Sequence, residues 1–537
     1  MQSSTKHATE MERVKAPAVQ MVIIILGVFM AILDTSVVNV AIPTIETAFG
    51  ATTNQIQWVL TGYMLTMGVL IPISGWLTDR FGSKHIFLFA LAMFTVGSAL
   101  CGMSWNTSSI IVFRIVQALG GGFMMPVAMN IIYRLYPPER RGLVMGMFGI
   151  AIMVAPAFGP ALSGYLVEYS TWRLIFYINV PVGIVTFILG LTVMHEFAHE
   201  AKSKFDLLGF SLSTVGFFSL LYGLNEVPSK GWNSAEVILF LVVGVSSLIL
   251  LVAVELKVKN PVIQFRVFKD YMFSMSVVIS SIINVALFAG IFFIPIYLQS
   301  IVGLSPIRTG LLMMPAALAS AIMMPVSGRL FDKVGARSLG FIGLAIVTAA
   351  TIGFTHLGRN TSISYIQWMY ILRSLGMGLT MMPIMTAGMN TLPLNLVSQG
   401  SALSNTVRQV AASLGTAILT TVMTERSKFH YAVMAQNVTP FTPQGQDLFH
   451  LQQTLQMQGL PANLAQGAAF TMLKGVLTAR GAVAGLNDAF LVSAFLSGFA
   501  LILILFFGSK KESAIRLSNR QKQKQNKSDK QAAMAFE

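Results

Sequence analysis

The sequence predicts an all-α integral membrane protein, and three observations carry that prediction. Hydrophobic residues fill 54% of the 537 positions and charged residues only 11%, with a mean hydropathy of +0.70; a soluble domain carries about 25% charged residues. Fourteen apolar runs approach the length of about 20 residues that crosses about 30 Å of hydrocarbon. One phrase is also written twice. Gly75-Trp76-Leu77-Thr78-Asp79-Arg80-Phe81-Gly82-Ser83-Lys84 returns 253 positions later as Gly328-Arg329-Leu330-Phe331-Asp332-Lys333-Val334-Gly335-Ala336-Arg337, with Gly, Leu, Asp, a cation, Gly and a cation in register.

In chain order the runs lie at about 18 to 42, 55 to 77, 85 to 103, 108 to 133, 142 to 167 and 172 to 194. Two more, at 207 to 224 and 236 to 256, precede a further six at 271 to 298, 308 to 330, 338 to 356, 364 to 389, 399 to 423 and 488 to 508. The repeated phrase follows the second run and the tenth. Duplicated bundles that move against each other are how secondary transporters work, and in a twelve-span transporter the copies would follow the second span and the eighth. The two extra spans therefore belong between the halves, at 207–256. A second duplication trace agrees: Arg114, Gly120-Gly121-Gly122 and Met124-Met125-Pro126 parallel Arg373, Gly376, Gly378 and Met381-Met382-Pro383. The expected division is an N-tail over 1–17, a six-helix bundle over 18–194, the two added helices, a second six-helix bundle over 271–508 and a basic C-tail over 509–537.

Orientation follows from charge. An N-terminus on the cytoplasmic side places 25 of the 36 Lys and Arg residues in cytoplasmic segments and four in short outer loops. The net charge of +15 then belongs to membrane-facing loops and does not indicate a nucleic-acid partner. The first apolar run is too long for a signal-peptide core and reads as a span that stays. Segment 425–486 reads as a long outer loop with helical stretches at Phe449 to Leu460 and Ala462 to Leu477. The basic C-tail is expected near anionic lipid, and the single cysteine, Cys101, as a small packing residue.

Charges inside a bilayer are rare and usually functional. Asp34 is the one carboxylate deep within a span, about 12 Å below Ile42 at the helical rise, and Arg114 lies at a similar depth in the fourth span. A carboxylate that alternates between a dry, Arg-paired state and a hydrated one can carry a proton. Glu46, Glu226 and Glu255 stand nearer the interfaces. In the hairpins, Gly82 and Gly335 allow a sharp turn, Asp79 and Asp332 can accept from exposed amides at the start of the next helix, and Arg80, Lys84, Lys333 and Arg337 face the cytoplasm. In the fifth span Pro156 and Pro160 remove backbone donors beside Gly159, as in a bent, closely packed hinge. Met124, Met125 and Met129, with Met377, Met381, Met382 and Met385, offer polarizable side chains to a cavity or a core. Gln117, Asn130, Asn284 and Arg408 are candidates for cavity hydrogen bonds.

The repeated hairpin, from Gly75 onward, resembles the signature loop of the major facilitator superfamily. Leu33-Asp34-Thr35-Ser36-Val37-Val38-Asn39-Val40-Ala41-Ile42-Pro43 is similar to the first-span motif of its fourteen-span drug:proton antiporters, the EmrB/QacA-like branch. Arg114 to Gly120 resembles the fourth-span motif linked to proton transfer, Gly149, Pro156, Gly159-Pro160 and Gly164 the antiporter motif, and Trp172 to Pro181 a further motif of the branch. The C-terminal half rests on Gly328 to Arg337 and on Asn405-Thr406-Val407-Arg408-Gln409. The resemblance implies a cavity partly lined by the first and fourth spans, proton coupling at Asp34 and Arg114, and hairpins that latch the inner gate.

The expected function is proton-coupled export of amphipathic small molecules, neutral or monocationic, from the plasma membrane, with no cofactor. The partners it implies are the substrate, protons, lipids and, where the cell has an outer membrane, a membrane-fusion protein. A dedicated exporter of one metabolite, lipid-like molecule or antibiotic is the alternative. Enzyme chemistry finds little support: His195-Glu196-Phe197-Ala198-His199 meets a zinc spacing formally, at a span end without an evident third ligand.

Overall fold

The computed structural model describes residues 16–197, 206–258, 261–358, 360–439 and 441–508. Both tails, with His199, Lys202, Lys204, Lys259 and Arg359, lie outside the described residues. The described chain is helical throughout and contains no strand.

In the first half, α1 spans Pro17–Phe49, α2 Thr53–Leu70, α3 Ser74–Phe81, α4 Ser83–Gly102, α5 Thr107–Leu135, α6 Pro138–Tyr169, α7 Leu174–Tyr177 and α8 Asn179–Val193. Two helices follow, α9 Leu207–Lys230 and α10 Ala235–Glu255. The second half holds α11 Tyr271–Ile296, α12 Pro306–Val334, α13 Ala336–Gly353, α14 Ile363–Met389, α15 Val397–Gln436, α16 Pro443–Met457 and α17 Ala462–Leu503. Local chemistry sets the ends. Thr52 and Gln55 close a reciprocal capping box on α2, and Asn106 and Ser109 do so on α5. The second apolar run is interrupted where Pro72 lies in a 3₁₀ turn over Ile71–Ile73, so α2 and α3 form one crossing in two pieces. Gly82 and Gly335 take φ values of 91° and 86°, which side-chain-bearing residues avoid.

Twelve helices, counting α2 with α3 and α7 with α8 as single crossings, are long and apolar enough to span a membrane. Two further long helices, α14 and α15, carry buried Arg373 and Arg408 among many polar residues and fall short on apolarity alone. α6 lies against α12 along much of its length: a methyl group on Gly142 would stand 2.6 Å from the Gly328 carbonyl, one on Gly146 2.5 Å from that of Met324, and one on Gly164 3.0 Å from Ile307. Small residues permit this close backbone approach. α9 packs on α2 from the first half and on α15 from the second, so the added pair touches both halves.

Segment 425–486, read from sequence as an outer loop with helical stretches at Phe449 to Leu460 and Ala462 to Leu477, is almost wholly helical. α15 runs on to Gln436 and α17 begins at Ala462, so these two helices extend side by side beyond the bundle, with α16 between them in the chain. Gly481 and Gly485 let the projecting turns close on Ser427, and Asp488 accepts from Arg426 Nε at 2.5 Å. The helix read from Ala462 starts there and continues to Leu503, and the helix read from Phe449 begins earlier, at Pro443.

Candidate functional site

The buried polar centre of the first half is built around Asp34, 1% exposed in the middle of α1. Arg114, on α5 and fully buried, donates from Nη1 to Asp34 Oδ2 at 2.5 Å and to Gln117 Oε1 at 2.6 Å, and from Nε to the Val59 carbonyl at 3.2 Å. Gln117 Nε2 donates to Asp34 Oδ1 at 2.9 Å and to Ser98 Oγ at 2.7 Å, while Asn179 Nδ2 reaches Oδ1 at 3.2 Å. The guanidinium lies over the Tyr63 ring, 4.0 Å from its centroid. Three helices, α1, α5 and α8, thus meet at the carboxylate, and removing one member of a buried ion pair costs about 3–5 kcal/mol. Gln117, proposed from sequence for a substrate cavity, is committed here instead. Cys101 stands at the rim, its Sγ 3.7 Å from Gln117 Oε1. Asn179 and Tyr63 received no role in the sequence reading. Asn179 lay inside a quoted motif, but nothing in the spacing shows that α8 turns it toward α1.

The second half repeats the arginine without the acid. Arg373 is buried on α14, donates from Nη2 to the Ala286 carbonyl and packs over Gly290 of α11. Among the described residues, the matched arginine of the second half therefore has no carboxylate partner.

At the hairpin end the two halves lock together. Asp79 accepts from Ser398 Oγ and, at Oδ2, from Gln399 Nε2 at 3.0 Å, both at the start of α15 in the opposite half. Arg134 Nη2 lies 3.8 Å from Asp79 Oδ1 and donates from Nε to Asn130 Oδ1, while Asn130 Nδ2 donates to Ser83 Oγ at 3.1 Å. Asn130 thus belongs to the hairpin and not to a cavity. Gly75 packs against the backbone of Gln399, as Gly328 packs against Gly142 at the start of α6. Asp332 Oδ1 would meet a methyl on Gly142 at 3.0 Å, so each copy of the hairpin meets the fifth helix of the other half. Arg80 and Lys333 occupy the last turns of α3 and α12, where cations favour the helix dipole. The expected capping role needs correction at one point. The exposed His85 amide at the start of α4 is taken by Glu196 Oε2 at 3.2 Å, and Glu196 also pairs with His85 Nδ1 at 2.8 Å. The carboxylate of the zinc-like spacing is thereby engaged at a helix start, and the described residues hold no group of three side chains able to bind a metal ion.

Arg141 adds a cross-half bond, donating from Nη1 to Asn390 Oδ1 at 2.9 Å, and Ser401 Oγ donates to the Pro126 carbonyl at 2.8 Å. Met124 and Met129 pack with Met381, Met382 and Met385 in one core that joins the halves, whereas Met377 lies in a separate cluster with Ile283 and Val347. These methionines are core in this conformation, so the single helical face of Met377, Met381 and Met385 divides between two clusters. Asn284 Nδ2 donates to the Arg408 carbonyl at 3.1 Å, and Arg408 Nη2 to Asn405 Oδ1 at 2.5 Å. Both are held by protein partners. Pro156, Gly159 and Pro160 lie where α6 crosses α1, and a side chain on Gly159 would strike Ser36.

Two duplicated helical halves locked at matching hairpins, with a buried carboxylate on an arginine, are the architecture of a membrane transporter. The chain belongs to the Major Facilitator Superfamily, whose family model matches residues 24–416. It is 41% identical to the uncharacterized MFS-type transporter YhcA of Bacillus subtilis over 94% of this chain and 95% of that protein. It is 32% identical to the lincomycin resistance protein LmrB of Listeria monocytogenes over 77% of this chain and 87% of that one. The multidrug export protein EmrB of Escherichia coli is 30% identical, covering 89% of this chain and 92% of its own. Among solved structures, the human organic anion transporter MFSD10 superposes with a TM-score of 0.60 at 10% identity, over 91% of this chain and 100% of that chain. That likeness shows the fold alone.

Proposed function

We propose that this transporter is a proton-coupled exporter of amphipathic, neutral or monocationic small molecules, acting on more than one compound. Fourteen helices cross the plasma membrane in this reading, with both termini cytoplasmic and α9 and α10 inserted between two six-helix bundles. The names carried by the LmrB and EmrB relatives support export of antibiotics and other drugs.

The observation that carries proton coupling is the burial of Asp34 against Arg114, Gln117 and Asn179. An ionised carboxylate fits that set of donors. A proton entering from the outer side neutralises it, weakens the pair with Arg114 and frees α1 and α5 to shift; loss of the proton to the cytoplasm restores the pair. The Asp79 contacts with Ser398 and Gln399 hold the inner side closed in one phase of this cycle and part in the other.

One deep carboxylate compensates one positive charge, and a dication in a low-dielectric site needs more. Exchange of one proton for one monocation moves no net charge, so the pH gradient alone drives it. A neutral substrate leaves one charge moving, worth about 2.3 kcal/mol per 100 mV.

Proteoliposomes with an imposed pH gradient test the reading on a panel of neutral, monocationic and dicationic compounds. Gradient-driven uptake of the first two groups, lost in Asp34→Asn, supports it. Robust dication transport by the wild type, or undiminished proton-coupled transport by Asp34→Asn, overturns the assignment.

A further inference from the structure

A second pair of carboxyl groups lies away from Asp34, where α9 begins and α10 ends. Asp206 caps α9, its Oδ1 accepting from the Gly209 amide at 2.9 Å. Glu255, the last residue of α10, is 2% exposed; its Oε1 accepts from the amides of Val262 and Ile263 at 3.2 and 3.3 Å. Its other oxygen, Oε2, is buried without a hydrogen-bond partner, and so is Asp206 Oδ2. Both acids close on the bare backbone of Gly209, where a methyl group would strike Glu255 Oε1 and stand 2.9 Å from Asp206 Oδ2. Of the cations nearby, Arg266 donates from Nη2 to the Leu256 carbonyl at 2.9 Å, and Lys257 is exposed. From α15, the neutral Gln399 and the apolar Leu403 meet this region.

We propose that Glu255 and Asp206 form a proton-binding site that controls how firmly the hairpin of the first half is held. Two carboxylates that close on one glycine disfavour each other's charge, and a proton on the buried, unpartnered Glu255 Oε2 relieves that repulsion. A metal ion fits poorly, since calcium takes about 6–8 oxygens and this site offers two. The proton comes from water through the partly exposed Asp206 and returns the same way.

The link to the hairpin is short. The residue after Ile263 is Gln264, whose amide donates to Gln399 Oε1 at 3.4 Å, and Gln399 Nε2 donates to Asp79 Oδ2. The side chains of Val262 and Ile263 pack with Ile73 and Trp76 of the same hairpin region. A charged acceptor holds an amide about twice as strongly as a neutral one. Ionised Glu255 therefore fixes the 262–264 segment and orients Gln399 on Asp79, and protonation loosens both.

Hydrogen exchange at the amides of Val262, Ile263 and Gln264, read by mass spectrometry on the purified full chain, tests this. Wild type and Glu255→Gln are compared at matched pH, so intrinsic exchange cancels; glutamine keeps a carbonyl acceptor but cannot ionise. Protection in the wild type should exceed that in Glu255→Gln by about tenfold at high pH, about 1.4 kcal/mol, and the two should converge as pH falls. A ratio independent of pH would make Glu255 a fixed anchor and overturn the proposal. Asp206→Asn removes the repulsion and should move the convergence to lower pH, and an unmoved convergence overturns the pairing; if Glu255→Gln fails to fold, wild type and Asp206→Asn are compared with each other at matched pH, and identical protection at every pH overturns the proposal. No transport is read, so failure here leaves the exporter proposal standing.

Discussion

The hydroxyl of Ser36 donates to the carbonyl of Pro156 at 3.0 Å. In an unbroken helix that carbonyl would accept from the amide four residues on, but residue 160 is proline and has no amide to give. Pro160 thus leaves an acceptor in α6 that α1 fills, two residues from Asp34. Ser163 Oγ returns the bond, donating to the Val37 carbonyl at 2.7 Å.

Ser36→Ala should therefore uncouple α6 from the Asp34 helix. The orphaned carbonyl costs about 1 kcal/mol, visible as a lowered thermal midpoint in detergent, and turnover should fall more than substrate affinity does. Unchanged stability and turnover would mean that water replaces the hydroxyl.

Arg114→Lys tests the geometry of the buried pair apart from its charge. Lysine keeps the cation but cannot span Asp34, Gln117 and the Val59 carbonyl with a planar fork. Proton-driven transport should drop at least about tenfold with the protein still folded, a loss of about 1.4 kcal/mol in coupling. Full retention would reduce Arg114 to a counter-charge.

Asp79→Asn places an amide opposite the Gln399 and Ser398 donors. Transport should fall while equilibrium substrate binding, measured by fluorescence, stays within a few-fold, because the hairpin lies far along the helices from Asp34. An equal loss of both would point to misfolding.

For topology, Gln446 is exposed on α16 and the native Cys101 is buried. In a Cys101→Ala background, Gln446→Cys should react with an impermeant maleimide in intact cells. Labelling only after lysis would reverse the orientation.

The helices were legible because hydrocarbon imposes a length on every apolar run, and the duplication because one charged hairpin recurs at the same turn. The Asp34 to Arg114 contact followed from equal depth along two helices, a quantity that a uniform helical rise supplies. Rotation was not legible. Whether Gln117, Asn130 or Asn284 faces a cavity or a neighbour depends on how each helix turns about its axis, and all-round apolar spans leave no moment to set it. Partners drawn from the far half, such as Ser398 for Asp79, lay 319 positions away. The start of α17 at Ala462 was legible from its helical pattern, but the extension of α15 to Gln436 was not, because its polar composition past the apolar run gives no mark of where the helix ends.

In the proposed topology and transport cycle, those projecting helices turn a buried rearrangement into an outward display. At 40 and 42 residues each measures about 60 Å, twice the thickness of hydrocarbon, and glycine contacts and the Asp488 ion pair bind them into one stiff mast rooted in the second half. Rocking of that half by about 10° sweeps the mast tip through about 5 Å for every 30 Å of its height. The tip is a pointer: a dye at Gln446 paired with one on the first half would read each turnover from outside the membrane, without touching the residues that perform it.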